Sequence, residues 1–256
     1  MRTAVIGDVH GCLTELRALV AEFAPQPSDQ VVFVGDLLDK GPFPAETVAY
    51  VRSLGARMVL GNHEEKHLRW RQHEDRRRND SKYVNPMQPL HQDAIKANEA
   101  LTKEDIAWLQ GLPTFLEVQP GWVVVHGGLF SRSLEEHRLD KRLGEKCRRL
   151  RWLDSEGEHV SVLYDKDGRP ESLSGVQHWA EVYDGRYNVV YGHEAHDFAH
   201  PRIDHKPQGT ACYGIDTGVV HGGHLTALVL EPGKPVEFLQ VSAREVYQEP
   251  PSSRLS

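Results

Sequence analysis

Long apolar runs are missing from these 256 residues. No stretch approaches the roughly 18 apolar residues that a bilayer-spanning helix needs, so no membrane segment is expected. The first strand-like run starts at Arg2 and reaches a Gly-Asp motif by Asp8, which leaves no room for a signal peptide. Cysteine is scarce. Cys12, Cys147 and Cys212 are odd in number and far apart, which argues against a disulfide framework and for a reducing, cytoplasmic compartment. Basic charge is not in excess, with 30 Lys and Arg against 37 Asp and Glu and a net charge of −7. The surface as a whole is therefore no trap for polyanions, and no stable nucleic-acid partner is expected. Internal repeats and interdomain linkers are also missing. The expectation is a single domain over residues 1–241 and a polar C-terminal tail over 242–256, its end rich in Pro and Ser.

What is present is a soluble globular composition, 39% hydrophobic and 26% charged, in which short apolar runs alternate with amphipathic segments. Thr3-Ala4-Val5-Ile6 reads as a buried strand that ends at Gly7-Asp8. Leu13, Leu16, Leu19, Val20 and Phe23 fall at helical spacing. Val31 to Val34 is a second strand, ending at Gly35-Asp36. A helix is predicted from Pro44 to Leu54, and Met58 to Leu60 is a third strand, ending at Gly61-Asn62-His63. This is a βαβαβ pattern of the α/β class, with chemistry at the carboxyl ends of the strands, where open α/β sheets bind ligands. Further on, Thr102 to Asp105 resembles a capping box. Strands are predicted at Trp122 to Val125, Asn188 to Tyr191, Leu225 to Leu230 and Val236 to Val241.

Five short motifs carry the candidate chemistry: Gly7-Asp8-Val9-His10-Gly11, Gly35-Asp36-Leu37-Leu38-Asp39, Gly61-Asn62-His63-Glu64, His126-Gly127-Gly128 and Tyr191-Gly192-His193. They offer Asp8, Asp36, Asn62, His10, His126 and His193 as metal ligands. Asp8 and His10 can face one ion, and Asp36 has two carboxylate oxygens with which to bridge two. Each motif alone is as consistent with a turn or a hydrogen-bonded core histidine. Jointly they fit a pair of divalent ions about 3.5–4 Å apart that clamps a phosphoryl group and generates a hydroxide nucleophile. Mixed oxygen and nitrogen donors favour Mn²⁺, with Fe or Zn²⁺ as alternatives.

The order and wording of the motifs resemble the phosphoprotein phosphatase superfamily of binuclear metallophosphoesterases, over about residues 3 to 230. The resemblance implies a calcineurin-like metallophosphoesterase fold, with two central mixed β-sheets flanked by helices. It implies that Asp8, His10 and Asp36 hold one metal, and that Asp36, Asn62, His126 and His193 hold the other, with a bridging hydroxide as the nucleophile. His63 would then be the general acid and Asp39 the residue that orients it. Lys40 and Asn62 would bind substrate, together with an Arg between the fourth and fifth motifs. Arg151 is the candidate for that position, with Arg149 close behind.

Asp39-Lys40-Gly41-Pro42 departs from the Asp-Arg-Gly wording of protein phosphatases, and Lys40 lacks the bidentate fork of Arg. The Lys-Gly-Pro wording is similar to the ApaH-like branch related to symmetrical diadenosine tetraphosphatases. So is the run Ile215-Asp216-Thr217-Gly218 with Gly222 to Leu228. The expected substrate is therefore a dinucleoside polyphosphate or a related nucleotide. A phosphoprotein is the alternative, because Asp39 and Glu64 match the serine/threonine phosphatases. A nuclease fits less well, because Gly192-His193-Glu194-Ala195 lacks the second His of Gly-His-x-His. A non-catalytic scaffold would have lost ligands, and none is lost. The stretch Leu68 to Asn85, with five arginines, reads as a solvated helix face, or else as a basic flank for extra phosphates. Oligomeric state is left open.

Overall fold

The computed structural model describes residues 1–131, 136, 141–161 and 174–250. The first half runs β1 (Thr3–Ile6), α1 (Leu13–Phe23), β2 (Gln30–Phe33), α2 (Pro44–Ser53), β3 (Arg57–Met58), α3 (Asn62–Asn79), α4 (Gln92–Ala100), α5 (Lys103–Gln110), β4 (Phe115–Gln119) and β5 (Trp122–Val125). It continues through α6 (Lys141–Cys147), β6 (Trp152–Leu153), β7 (His159–Val160), β8 (Gln177–His178), α7 (Trp179–Val182), β9 (Asn188–Tyr191), β10 (Arg202–His205) and β11 (Ala211–Gly214). The last elements are β12 (Asp216–Thr217), a 3₁₀ turn (Val219–His221), β13 (His224–Leu230) and β14 (Glu237–Ser242).

Two mixed sheets form the centre. In the first, β1, β2 and β3 run parallel, and β13 pairs antiparallel with β1, β12 and β14. In the second, β9 lies parallel between β5 and β11, with β4 and β10 antiparallel at the edges. Strand alternation explains how they pack, because successive side chains point to opposite faces. Val5, Val32 and Val34 of the first sheet meet Val124, Val190 and Tyr213 of the second in one shared core. Ile6 and Phe33 point the other way, onto Leu16, Leu19 and Val48 of the helices. Val123, Val125 and Val189 likewise turn outward, onto Leu143, Cys147 and the fully buried Trp179. The result is the expected pair of mixed sheets between helical layers.

Where elements differ from the sequence expectation, backbone hydrogen bonds give the reason. The third strand stops at Met58 because the Leu60 amide turns away to the Pro113 carbonyl, at 2.8 Å. The capping box forms as read, with the Thr102 hydroxyl accepting from the Asp105 amide and the Asp105 carboxylate accepting from the Thr102 amide. The predicted tail over 242–256 begins inside β14. Beyond it, the Arg244 amide and the Tyr247 hydroxyl both donate to the buried Glu15 carboxylate, at 3.0 and 2.8 Å. The Tyr247 and Gln248 amides donate to the Val220 carbonyl. Residues 251–256 lie outside the described residues. Among the described residues no helix is long and apolar enough to cross a membrane, and all three cysteines are buried and unpaired.

The arginine-rich stretch does form a helix, the second half of α3, but its cations are spoken for. Arg69 faces Glu65, Arg77 faces Glu74 and Arg78 faces Asp75. Arg71 bonds Asn98, and Arg76 lies over the Tyr83 ring. This is the behaviour of a solvated helix face with local pairing.

Candidate active site

The carboxyl ends of the parallel strands β1, β2, β3, β5 and β9 converge, and each delivers one motif. The connecting backbone is forced. Six non-glycine residues among those described adopt positive φ, and five of them are His10 (46°), Asp36 (53°), Asp39 (67°), Lys40 (69°) and His193 (72°). Such conformations cluster where surrounding structure over-determines them for a function. Close approach also demands glycine. A Cβ on Gly192 would collide with Asp8 Oδ1, and one on Gly61 with Asp36 Oδ1.

Asp36 is the hub. Its Oδ2 lies 3.3 Å from His126 Nε2, 3.7 Å from His63 Nε2 and 3.8 Å from His10 Nε2. Two potential ligand clusters share it: His10, Asp36 and His63 on one side, and Asp36, His126 and His193 on the other. Asp8 joins the first side, 3.9 Å from His10, and Asn62 joins the second, its Oδ1 2.9 Å from His126 Nε2. All six residues read as ligands from sequence are thus brought together. The N-terminus of α3 points at the hub, and the His63 amide donates to Asp36 Oδ1 at 3.0 Å. This is favourable for an anion at a helix start.

The donor chemistry fits metal ions. His10 Nδ1–H donates to the Leu38 carbonyl at 2.9 Å and His126 Nδ1–H to the Val34 carbonyl at 2.8 Å. Such bonds fix the ring so that Nε2 faces the centre, as the supporting shell of metal-binding histidines does. Burial, then Lys40, pushes His10 well below its ordinary pKa, and burial, then Arg151, does the same for His193. Both imidazoles are therefore neutral and able to ligate. Burial, then Asp216, pushes Asp8 well up. Burial works against the imidazolium of His126, but Asp36, Asp8 and Glu64 outweigh it and raise the group to about 9. The pocket therefore holds more buried carboxylate than cation, a balance that bound divalent ions correct.

His63 sits at the rim with its Nδ1 2.7 Å from Asp39 Oδ2. Asp39 also accepts from His67 Nε2 at 2.7 Å and from Lys66 Nζ. Burial alone would raise Asp39, but the hydrogen bonds from His63 and His67 hold it well below the usual carboxylate range. Lys40 Nζ lies 2.8 Å from His10 Nε2. Arg151 lines the same cavity as Asp8, His10 and His193, whereas Arg149 turns away to Glu65 at 2.9 Å. Asp216 lines that cavity too and accepts from the Gly218 amide.

Several residues of the site carry no assigned role in the sequence reading. Glu64, fully buried, accepts from the Asp36, Leu37 and Leu38 amides at 2.8, 2.8 and 3.1 Å, which ties the second motif to the start of α3. Burial, then Asp36, pushes it up to about 7. Glu64→Ala would strand three buried N–H groups, each costing about 1–3 kcal/mol. A loss of about 3 kcal/mol or more is expected in denaturant unfolding; a loss under about 1 kcal/mol would show that the three bonds contribute little. His67, also fully buried, is in turn held by Asn98, whose side chain donates to the His67 carbonyl at 3.1 Å. His221, at the end of the 3₁₀ turn Val219–His221, lines the cavity beside the candidate ligands.

The sequence profile of the calcineurin-like phosphoesterases matches residues 1–197. The chain belongs to the calcineurin-like phosphoesterase family. It is accordingly a metal-binding hydrolase, a metallophosphoesterase. This phosphoesterase is 28% identical over 272 residues to the symmetrical bis(5'-nucleosyl)-tetraphosphatase of Serratia proteamaculans (strain 568), in a match that spans 89% of this chain and 90% of that one. The protein of the same name from Pectobacterium atrosepticum is 28% identical over 267 residues, spanning 89% and 91%. A crystal structure described as that of a candidate diadenosine tetraphosphatase superposes with a TM-score of 0.69 at 24% identity, over 93% of each chain. A serine/threonine phosphatase from Saccharomyces cerevisiae superposes at 0.56 and 15% identity, over 96% of this chain and 81% of that one. These likenesses to solved structures concern the fold.

Proposed function

We propose that this phosphoesterase hydrolyses the phosphoanhydride bonds of dinucleoside polyphosphates and related nucleotides. The observation that carries the reading is the sharing of Asp36 by two ligand clusters, with Lys40 and Arg151 beside them. Asp8, His10 and Asp36 would hold one divalent ion, and Asp36, Asn62, His126 and His193 the second, Mn²⁺ being favoured by the oxygen donors. Ions so held activate water and neutralise charge on the phosphoryl group. Lys40 and Arg151 bind the non-bridging oxygens and set the phosphorus in line. His63 gives its Nε2 proton to the departing oxygen, while Asp39 holds the opposite ring nitrogen and keeps Nε2 turned to the centre. The names of the tetraphosphatase relatives support the nucleotide substrate, as does the Lys40-Gly41-Pro42 wording. The arginines of α3 do not, since they are paired away from the site. Residues 1–241 form the catalytic unit in this reading, and three unpaired thiols suit a cytoplasmic location. No stable nucleic-acid partner is invoked.

The Asp39–His63 pair, at 2.7 Å, keeps a second reading in view, a serine/threonine phosphoprotein phosphatase. The test is product release from diadenosine tetraphosphate and from a phosphothreonine peptide, side by side, with Mn²⁺ and with chelator. Mn²⁺-dependent cleavage of the dinucleotide, at least about tenfold faster in kcat/KM than the peptide, is expected. Faster turnover of the peptide sinks the nucleotide reading. Undiminished activity in chelator sinks the metal assignment.

A further inference from the structure

Two cavities open on the catalytic centre from different sides. One, of 480 Å³, runs from Asp8, His10, Arg151 and His193 to the 3₁₀ turn Val219–His221. The other, of 740 Å³, is lined by Asp39, His63, Lys66, His91 and Tyr247. Both volumes fall in the roughly 300–1,000 Å³ range of small-molecule sites. They have two lining residues in common, Lys40 and Gln248. Gln248 belongs to the segment that follows β14. Its amide donates to the Val220 carbonyl at 3.0 Å, and its carbonyl lies 2.7 Å from His221 Nδ1. Its neighbour Tyr247 is fastened to Glu15. This segment is therefore held as a saddle between the cavities, and Gln248 itself is exposed on it.

We infer that the saddle at Lys40 and Gln248 is a specificity device that seats the two ends of a two-ended phosphoanhydride in separate chambers. The inference rests on the nucleotide reading above and adds where each half lies. The general acid must touch the departing oxygen, and His63 lines only the larger chamber. The departing nucleotide therefore occupies that chamber, with Lys66 near its phosphates and the Tyr247 ring available to its base. Arg151 and His193 line only the smaller chamber. The half that keeps the attacked phosphorus therefore lies there, against Val219, Val220 and Pro250. Among the described residues, Lys40 is the cation that lines both chambers, placed to touch phosphates on either side of the scissile bond. A molecule with a single short end, such as an aryl phosphate, reaches the metals without crossing the saddle.

The test compares kcat/KM for diadenosine tetraphosphate with kcat/KM for p-nitrophenyl phosphate in wild type, Gln248→Trp and Tyr247→Phe. Trp at the exposed saddle position adds bulk between the chambers without entering the core. In that variant the ratio of the two specificity constants is expected to fall by about tenfold or more against the dinucleotide. Tyr247→Phe, which frees the saddle from Glu15, is expected to move the ratio the same way by a few-fold, chiefly through a higher KM for the dinucleotide. A ratio that stays within about twofold in both variants, while wild type cleaves the dinucleotide, overturns the inference alone. Wild type that turns over the aryl phosphate but leaves the dinucleotide intact overturns the substrate reading, and this inference with it.

Discussion

Asp36→Asn is expected to lower turnover by about 10³-fold, the equivalent of about 4 kcal/mol in the barrier. The substitution keeps the shape and can still accept the His63 amide at Oδ1, but it removes the charge at Oδ2, the atom within 3.8 Å of three imidazoles. Burial opposes the charged form of this carboxylate, yet His126 and His63 hold it well below the usual range. Its charge is thus the element around which the centre is arranged. Metal content per chain, measured by atomic emission after dialysis, should fall from two ions to one or none. Retention of both ions with a rate within about tenfold of wild type would show that Asp36 does not bridge.

His63→Asn separates proton delivery from metal binding. The variant is expected to keep its metals, because the six proposed ligands are untouched and the backbone amide of the substituted residue can still donate to Asp36. Turnover of substrates with poor leaving groups should fall by ~10²–10⁴-fold, the usual contribution of a positioned acid. Aryl phosphates whose leaving group departs without a proton should lose far less. The readout is the slope of log kcat against leaving-group pKa, steeper in the variant. Equal losses across the series would assign His63 to positioning rather than proton transfer. Asp39→Asn should give a milder form of the same slope, since its carboxylate also receives His67 and Lys66.

What the sequence made legible follows from where its information is local. β1, β5 and β9 have the predicted bounds because each is a short apolar run closed by a glycine motif. The candidate ligand cluster was legible for the same reason, since Asp8, Asp36, Asn62, His126 and His193 each stand within two residues of a short apolar run. The support beneath it was not. α3 buries Glu64 and His67 where an amphipathic helix would bury aliphatic side chains, so hydrophobic periodicity gives no sign that this face carries weight. Gln248 and His221 lie in stretches whose composition reads as solvent-exposed; the bond of the Gln248 amide to Val220, that of the His221 ring to the Gln248 carbonyl and that of the neighbouring Tyr247 hydroxyl to Glu15 make them cavity wall. Arg149 and Arg151 look alike on paper. Which one meets the site depends on how the chain enters β6.

The left-handed residues at the strand ends also bear on how far this protein can be stabilised. Each non-glycine residue in that region costs on the order of 1–2 kcal/mol, so His10, Asp36, Asp39, Lys40 and His193 together carry a load on the order of 5–10 kcal/mol. That is comparable with the whole net stability of an ordinary domain, about 5–15 kcal/mol. The two-sheet core must therefore exceed what folding alone requires. A search for heat-resistant variants would be drawn to glycine at these same five positions, where each gain in melting temperature would delete a proposed ligand, the proposed partner of the acid or the proposed phosphate-binding cation. Robustness in this protein has to be sought in the helical layers instead, and the catalytic rim sets a ceiling that selection for stability cannot lift without abolishing the chemistry.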